Sequence, residues 1–201
     1  MVRVYLALVD IVPAAVVLVP LHLVFYFSIY RRKLRRSVLS CLFCLYLSAV
    51  FALVGIPNVT YIRPELNLNL IPLAGMLADF KNSILNVLLF IPLGIMLPLL
   101  WNKFKTLKFT LLFGFGMSSV IELLQALTFR ATDVNDLITN TLGTFLGFFC
   151  ANALLARFPA IKQLAADTED HDVILVTVII LLLMFFVYPF ISAAFWDLLL
   201  P

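Results

Sequence analysis

From Val173 to Phe195 the chain carries no charged side chain, and leucine, isoleucine, valine and phenylalanine dominate the run. A stretch of about twenty such residues matches the hydrocarbon thickness of a bilayer when helical. In lipid the backbone must satisfy its own hydrogen bonds, so the run constrains the chain to helix there. The same pattern recurs along the 201 residues, 64% of which are hydrophobic and only 12% charged. The expectation is an all-α polytopic transmembrane bundle of about six helices forming a single domain over residues 1–201.

The expected helices are Val4–Phe27, Val38–Ile56, Ile84–Trp101, Phe109–Leu127, Leu137–Ala156 and Val173–Phe195. The first carries Pro13 and Pro20, and the third carries Pro92 and Gly94, which read as a mid-helix interruption or as a place of close packing. Between the second and third helices, Pro57 to Lys81 reads as a loop that dips toward the interface around Leu70 to Leu77. Arg31, Arg32, Lys33, Arg35 and Arg36 follow the first helix at once, which marks a cytoplasmic loop. Counted by side, this topology puts ten Lys and Arg inside and four outside, with both termini extracytoplasmic. The net charge of +3 is therefore an orientation signal and not a nucleic-acid footprint. Anionic lipid heads are the natural partners of such a basic cluster.

Cys41, Cys44 and Cys150 all fall in apolar runs with no polar neighbour to activate a thiol, so they read as structural. His22 reads as a packing residue. The acidic stretch Asp167 to Asp172, with His171, reads as solvated surface.

Against this background the segment Ser118 to Gly147 stands out. It sets Glu122, Gln125, Arg130, Asp133, Asp136 and Asn140 between two apolar runs. Ionisable groups at membrane depth are costly and mark interiors, partners or sites. Ser118, Glu122 and Gln125 share one helical stripe; Asp133, Asp136, Asn140, Gly143 and Gly147 share another. Asp133 and Asp136 stand where a following helix begins, so capping competes with a functional role. Arg130 is a countercharge or an anion clamp. Gly143 and Gly147 form a GxxxG pattern suited to close helix packing. The topology brings these stripes to the same face as Asn69 and Asn86.

Three chemistries fit the set. Glu122 is a candidate general base in a desolvated site, with Asp136 and Asn140 orienting a substrate. Glu122, Asp133, Asp136 and Asn140 are candidate oxygen ligands for Mg²⁺ or Ca²⁺. The set as a whole is a candidate hydrogen-bonding pocket for a polar head.

The order of these residues resembles the VanZ-like family of membrane proteins. The matching positions are Asn69-Leu-Ile-Pro72, Asn86 with Phe90-Ile-Pro-Leu-Gly94, Ser119 with Glu122 and Gln125, Arg130, Asp133, Asp136-Leu-Ile-Thr-Asn140-Thr, and Gly143. They span Asn69 to Gly147; the flanking helices, 4–56 and 173–196, carry no signature. The resemblance implies a small integral protein of the bacterial cell membrane, associated with resistance to glycopeptide antibiotics, teicoplanin more than vancomycin. It transfers no catalytic residue. Three functions follow as expectations: an envelope protein binding the drug or a lipid-linked wall precursor through an outward polar pocket, an enzyme modifying such a precursor, or a transporter of lipids or small molecules.

Overall fold

The computed structural model describes residues 12–16, 19–20, 24, 34–62, 68–69, 71–73, 79–128, 132–158 and 172–199. The helices are α1 (Leu34–Val54), α2 (Phe80–Leu100), α3 (Leu107–Gln125), α4 (Val134–Arg157), α5 (Asp172–Leu182) and α6 (Tyr188–Leu199). A π-helical turn, Leu183–Val187, joins α5 to α6 without a break. The described residues contain five helical spans long and apolar enough to cross a membrane, counting α5 through α6 as one. The expected first helix, Val4–Phe27, lies largely outside the described residues, although 12–16 are helical.

The chain divides into two compact units, residues 1–62 with 171–201, and residues 63–170. In the first, Phe43, Leu47, Val50 and Phe51 of α1 and Val173, Ile180 and Met184 of the C-terminal span form the buried interior. Gly55 stops α1 at φ 66°, and the N–H groups of Gly55 and Ile56 both close on Phe51 O. The π turn has an identifiable cause. Pro189 has no N–H to give to the carbonyl four residues earlier, Phe185 O. That carbonyl instead accepts Val59 N–H at 3.1 Å, so the loop after α1 satisfies a group the proline leaves open.

The second unit is a three-helix assembly around α4. Small residues fix its geometry. A Cβ on Gly143 would strike Val87 O, one on Gly147 would strike Ile91 O, and one on Gly94 would strike Thr144 O. The Val87–Gly143 and Ile91–Gly147 pairs run in the same order along the two helices, so α2 and α4 lie side by side in the same direction, at backbone contact where Gly94 also meets Gly147. Gly114 of α3 faces the Thr144 side chain in the same way. Moving along α3 from Gly114 to Ser118 to Glu122, the partners on α4 step back from Thr144 to Asn140 to Asp133, so α3 runs antiparallel to both neighbours. Phe90, Leu93 and Leu97 of α2, Met117 and Ile121 of α3, and Phe148 and Ala151 of α4 fill the interior.

Of the two readings of Pro92 and Gly94, interruption and close packing, the structure shows the second. α2 continues from Phe80 to Leu100 through both Pro92 and Pro98, and Gly94 serves close packing instead. α2 also begins four residues before the expected Ile84, with Asp79 at its N-cap and Asn82 donating to both Asp79 carboxylate oxygens. Several helical serines and threonines spend their hydroxyls on the preceding turn of their own helix: Thr144 Oγ1 donates to Asn140 O, Thr141 to Leu137 O and Ser119 to Phe115 O.

Candidate functional site

Because α2 and α4 are parallel and α3 antiparallel, the start of α2, the end of α3 and the start of α4 share one end of the second unit. Of the polar residues singled out in the sequence, Asn69, Glu122, Gln125, Asp133, Asp136 and Asn140 lie toward that end. A two-residue parallel bridge closes it, pairing Leu68 with Thr132 and Asn69 with Asp133.

Glu122 is 3% exposed on the last turn of α3. Its Oε2 accepts the backbone N–H of Asp133 at 2.9 Å, and its carbonyl accepts Thr132 Oγ1 at 3.1 Å. The sequence gives Glu122 no capping role on its own helix. The fold gives it a tertiary one, at the N-cap residue of α4. A carboxylate there meets the positive end of the helix dipole.

Asp133 is the N-cap of α4, with Oδ1 accepting Asn135 N–H at 2.8 Å. Its second oxygen accepts Asn69 Nδ2 at 3.0 Å, which ties the polar loop before α2 to the start of α4. Asp133 is thus a cap and a bridging residue at once. Asn135, buried in the first turn, accepts Leu73 N–H through Oδ1 at 2.7 Å. One turn further in, Asn140 Nδ2 donates to Ser118 Oγ at 2.9 Å across the α3–α4 interface. The Asn140 Oδ1 is buried with no partner among the described residues, although the residue is only 3% exposed. A buried acceptor without a donor is costly.

Of the expected site residues, Asn69, Glu122, Asp133 and Asn140 enter this network directly. Gln125 is buried on the same stripe, and its carbonyl accepts both the N–H and the hydroxyl of Thr128. Asp136 is half-buried in the first turn of α4. Asn86 is half-buried on α2, and among the described residues no hydrogen bond joins its side chain to the network. Ser119 does not take part, because its hydroxyl closes on Phe115 O while Ser118 takes the buried position. Arg130 lies outside the described residues.

Asn135 was not legible as a member of the site. An asparagine two residues after a cap reads as ordinary helix-start polarity; only its burial and its bond to Leu73 single it out. Among the described residues no three acidic, histidine or cysteine side chains converge as a cation would need. The oxygens proposed for Mg²⁺ or Ca²⁺ are partly committed to N–H donors, Glu122 to Asp133 and Asp133 to Asn69 and Asn135. An apolar cleft lined by Ala14, Ser48, Ile180, Met184 and Tyr188 belongs to the first unit and contains none of these residues.

Membrane-crossing helices with a buried, cross-linked polar network at one end define a polytopic membrane protein with a polar site. The family model described as VanZ/LLP1 matches residues 17–156, and the chain belongs to that family. It is similar to Protein VanZ of Enterococcus faecium, with 39% identity over 84 residues, covering 40% of this chain and 50% of that protein. The matched stretch thus spans about half the length of that curated relative. No solved structure matches the chain.

Proposed function

We propose that this chain is a protein of the bacterial cell membrane that lowers sensitivity to glycopeptide antibiotics, teicoplanin above vancomycin, by binding the drug or a lipid-linked wall precursor. The polar end of the second unit is the binding site and faces outward, as the Lys and Arg bias of the loops implies. One observation carries the reading. Asn69, Ser118, Glu122, Asp133, Asn135 and Asn140 come from three separate stretches of chain and meet at one end of a membrane-crossing unit. A polar head would sit on this network while its acyl tail runs along the apolar helix flanks, which suits an amphiphilic ligand. Binding is favoured over catalysis because Glu122, the candidate base, already accepts a backbone N–H and so helps hold the network.

The test expresses the wild type, Glu122→Gln and Asp136→Asn at matched membrane levels in a sensitive Gram-positive host. Minimum inhibitory concentrations of teicoplanin and vancomycin are then compared. The expected result is protection against teicoplanin that both substitutions abolish. Protection that survives both, or no protection by the wild type, sinks the reading.

A further inference from the structure

We infer that residues 71–73 form an apolar hook seated in the headgroup–acyl boundary of the bilayer, locked in place by Asn135. This inference stands independently of the function proposed above. The chain around the hook is pinned at two points. Asn69 pairs with Asp133 through the parallel bridge and through Nδ2 to Oδ2 at 3.0 Å. Four residues later, Leu73 N–H donates to the buried Asn135 Oδ1 at 2.7 Å.

Leu73 has φ 64°, the left-handed region that an L-leucine rarely enters. Its own N–H is the group that Asn135 holds, so the tether and the strained residue are the same. What this conformation achieves is presentation. Ile71 is 68% exposed and Leu73 66% exposed, two large apolar side chains turned away from the protein by a turn that is itself fixed.

The level of the hook identifies what covers it. Asn135 is the second residue of α4, a membrane-crossing helix, so the Leu73 backbone lies beside the first turn of that helix. Apolar side chains on the neighbouring helices are also turned outward, Phe80, Ile84 and Leu88 on α2 and Ile138 and Leu142 on α4, as lipid-facing residues are. Ile71 and Leu73 add to this apolar belt at its end. At that depth the surroundings are lipid methylene and glycerol groups, which accept apolar side chains that water would reject. The hook therefore anchors the loop carrying Asn69 and fixes that residue's height against Asp133.

The experiment places single spin labels at Ile71→Cys or Leu73→Cys in the full chain, with Cys41, Cys44 and Cys150 replaced by alanine. The protein is reconstituted in phosphatidylcholine–phosphatidylglycerol vesicles. Collision with oxygen, which concentrates among acyl chains, is compared with collision with a water-soluble nickel chelate. Leu112→Cys, on the outward face of α3, gives the lipid reference, and free label in buffer gives the aqueous one. The expected result is oxygen-dominated relaxation at both hook positions. Adding Asn135→Ala shifts both toward the nickel chelate, while Asn135→Asp, which keeps an acceptor oxygen, leaves them in lipid. Nickel-dominated relaxation with Asn135 intact overturns the inference. So does low access to both reagents, which would mean that protein covers the hook, and so does a depth unchanged by Asn135→Ala in a protein that still elutes as the folded species.

Discussion

Glu122 Oε2 accepts the backbone N–H of Asp133 at 2.9 Å, joining the end of α3 to the start of α4. The bond explains why a carboxylate is buried in an otherwise apolar helix, since it satisfies a helix-start donor that would otherwise be orphaned. Glu122→Gln keeps an acceptor oxygen at this point, so the fold survives and only the charge-assisted part of the bond is lost. Glu122→Leu leaves the Asp133 N–H without its partner and is expected to cost about 1–3 kcal/mol. Thermal unfolding in detergent separates the two; equal melting of both variants would mean that the bond contributes nothing.

Asp133 ties three groups, Asn135 N–H at the cap, Asn69 Nδ2 across the bridge and its own N–H to Glu122. Replacing it with alanine removes the cap, worth about 1 kcal/mol, and frees Asn69. Asp133→Asn keeps a capping oxygen and is expected to lose less. Protease sensitivity of the loop between α1 and α2 reports the second effect: cleavage there rises in Asp133→Ala and in Asn69→Ala alike. Cleavage unchanged in both would show that the bridge does not hold the loop.

Among the described glycines of the second unit, Gly94, Gly143 and Gly147 meet backbone, Gly114 meets a side chain and Gly116 meets nothing. A methyl on Gly147 collides with Ile91 O and one on Gly143 with Val87 O, whereas Gly116 faces open space. Backbone cannot rotate aside, so Gly147→Ala and Gly143→Ala are expected to destabilise by about 1–3 kcal/mol through overpacking. Gly116→Ala is expected to be neutral or to gain up to about 1 kcal/mol from helix propensity. Opposite signs in a melting experiment check the parallel packing of α2 on α4.

The Asn140 side chain contributes one hydrogen bond to Ser118 and leaves Oδ1 buried without a partner among the described residues. Removing the amide loses a bond worth about 0.5–1.5 kcal/mol and relieves an unsatisfied acceptor costing about 1–3 kcal/mol. Asn140→Leu, similar in volume, should therefore unfold at or above the wild-type temperature. A melting point well below wild type would show that the acceptor is satisfied in the folded protein. Measured beside teicoplanin protection, the same variant distinguishes a ligand contact, where stability holds and protection falls, from a packing residue, where both fall together.

Much of this arrangement is legible along the chain. Apolar runs of membrane length place the helices of the described residues to within a few positions, because in lipid no other backbone conformation satisfies its own hydrogen bonds. The 3.6-residue period puts Ser118, Glu122 and Gln125 on one stripe and Asp133, Asp136, Asn140, Gly143 and Gly147 on another. The first is buried, as are Asn140, Gly143 and Gly147, while Asp133 and Asp136 at the helix start are half-buried. Of the family pattern, the fold brings Asn69, Glu122, Asp133 and Asn140 into one network. Ser119 turns its hydroxyl to Phe115 O, no hydrogen bond among the described residues joins the Asn86 side chain to them, and Arg130 lies outside the described residues.

What the sequence by itself determined is the set of membrane helices, their polar stripes and the family. The partners were decided by tertiary structure, because spacing along a helix says which residues share a face but not what that face meets. Nothing in the order of residues says that Asp133 N–H is the group Glu122 accepts, that Ser118 and not Ser119 faces Asn140, or that Asn135 holds a strained Leu73. Nor does it say that α2 runs unbroken through Pro92, or that Val59 takes the carbonyl Pro189 leaves open. Apart from the unbroken course of α2, each is a bond between segments separated in the chain. Close packing at Gly94, Gly143 and Gly147 sets the height of α2 against α4, and bonds from α3 and the loops to α4 complete the alignment that the polar network requires.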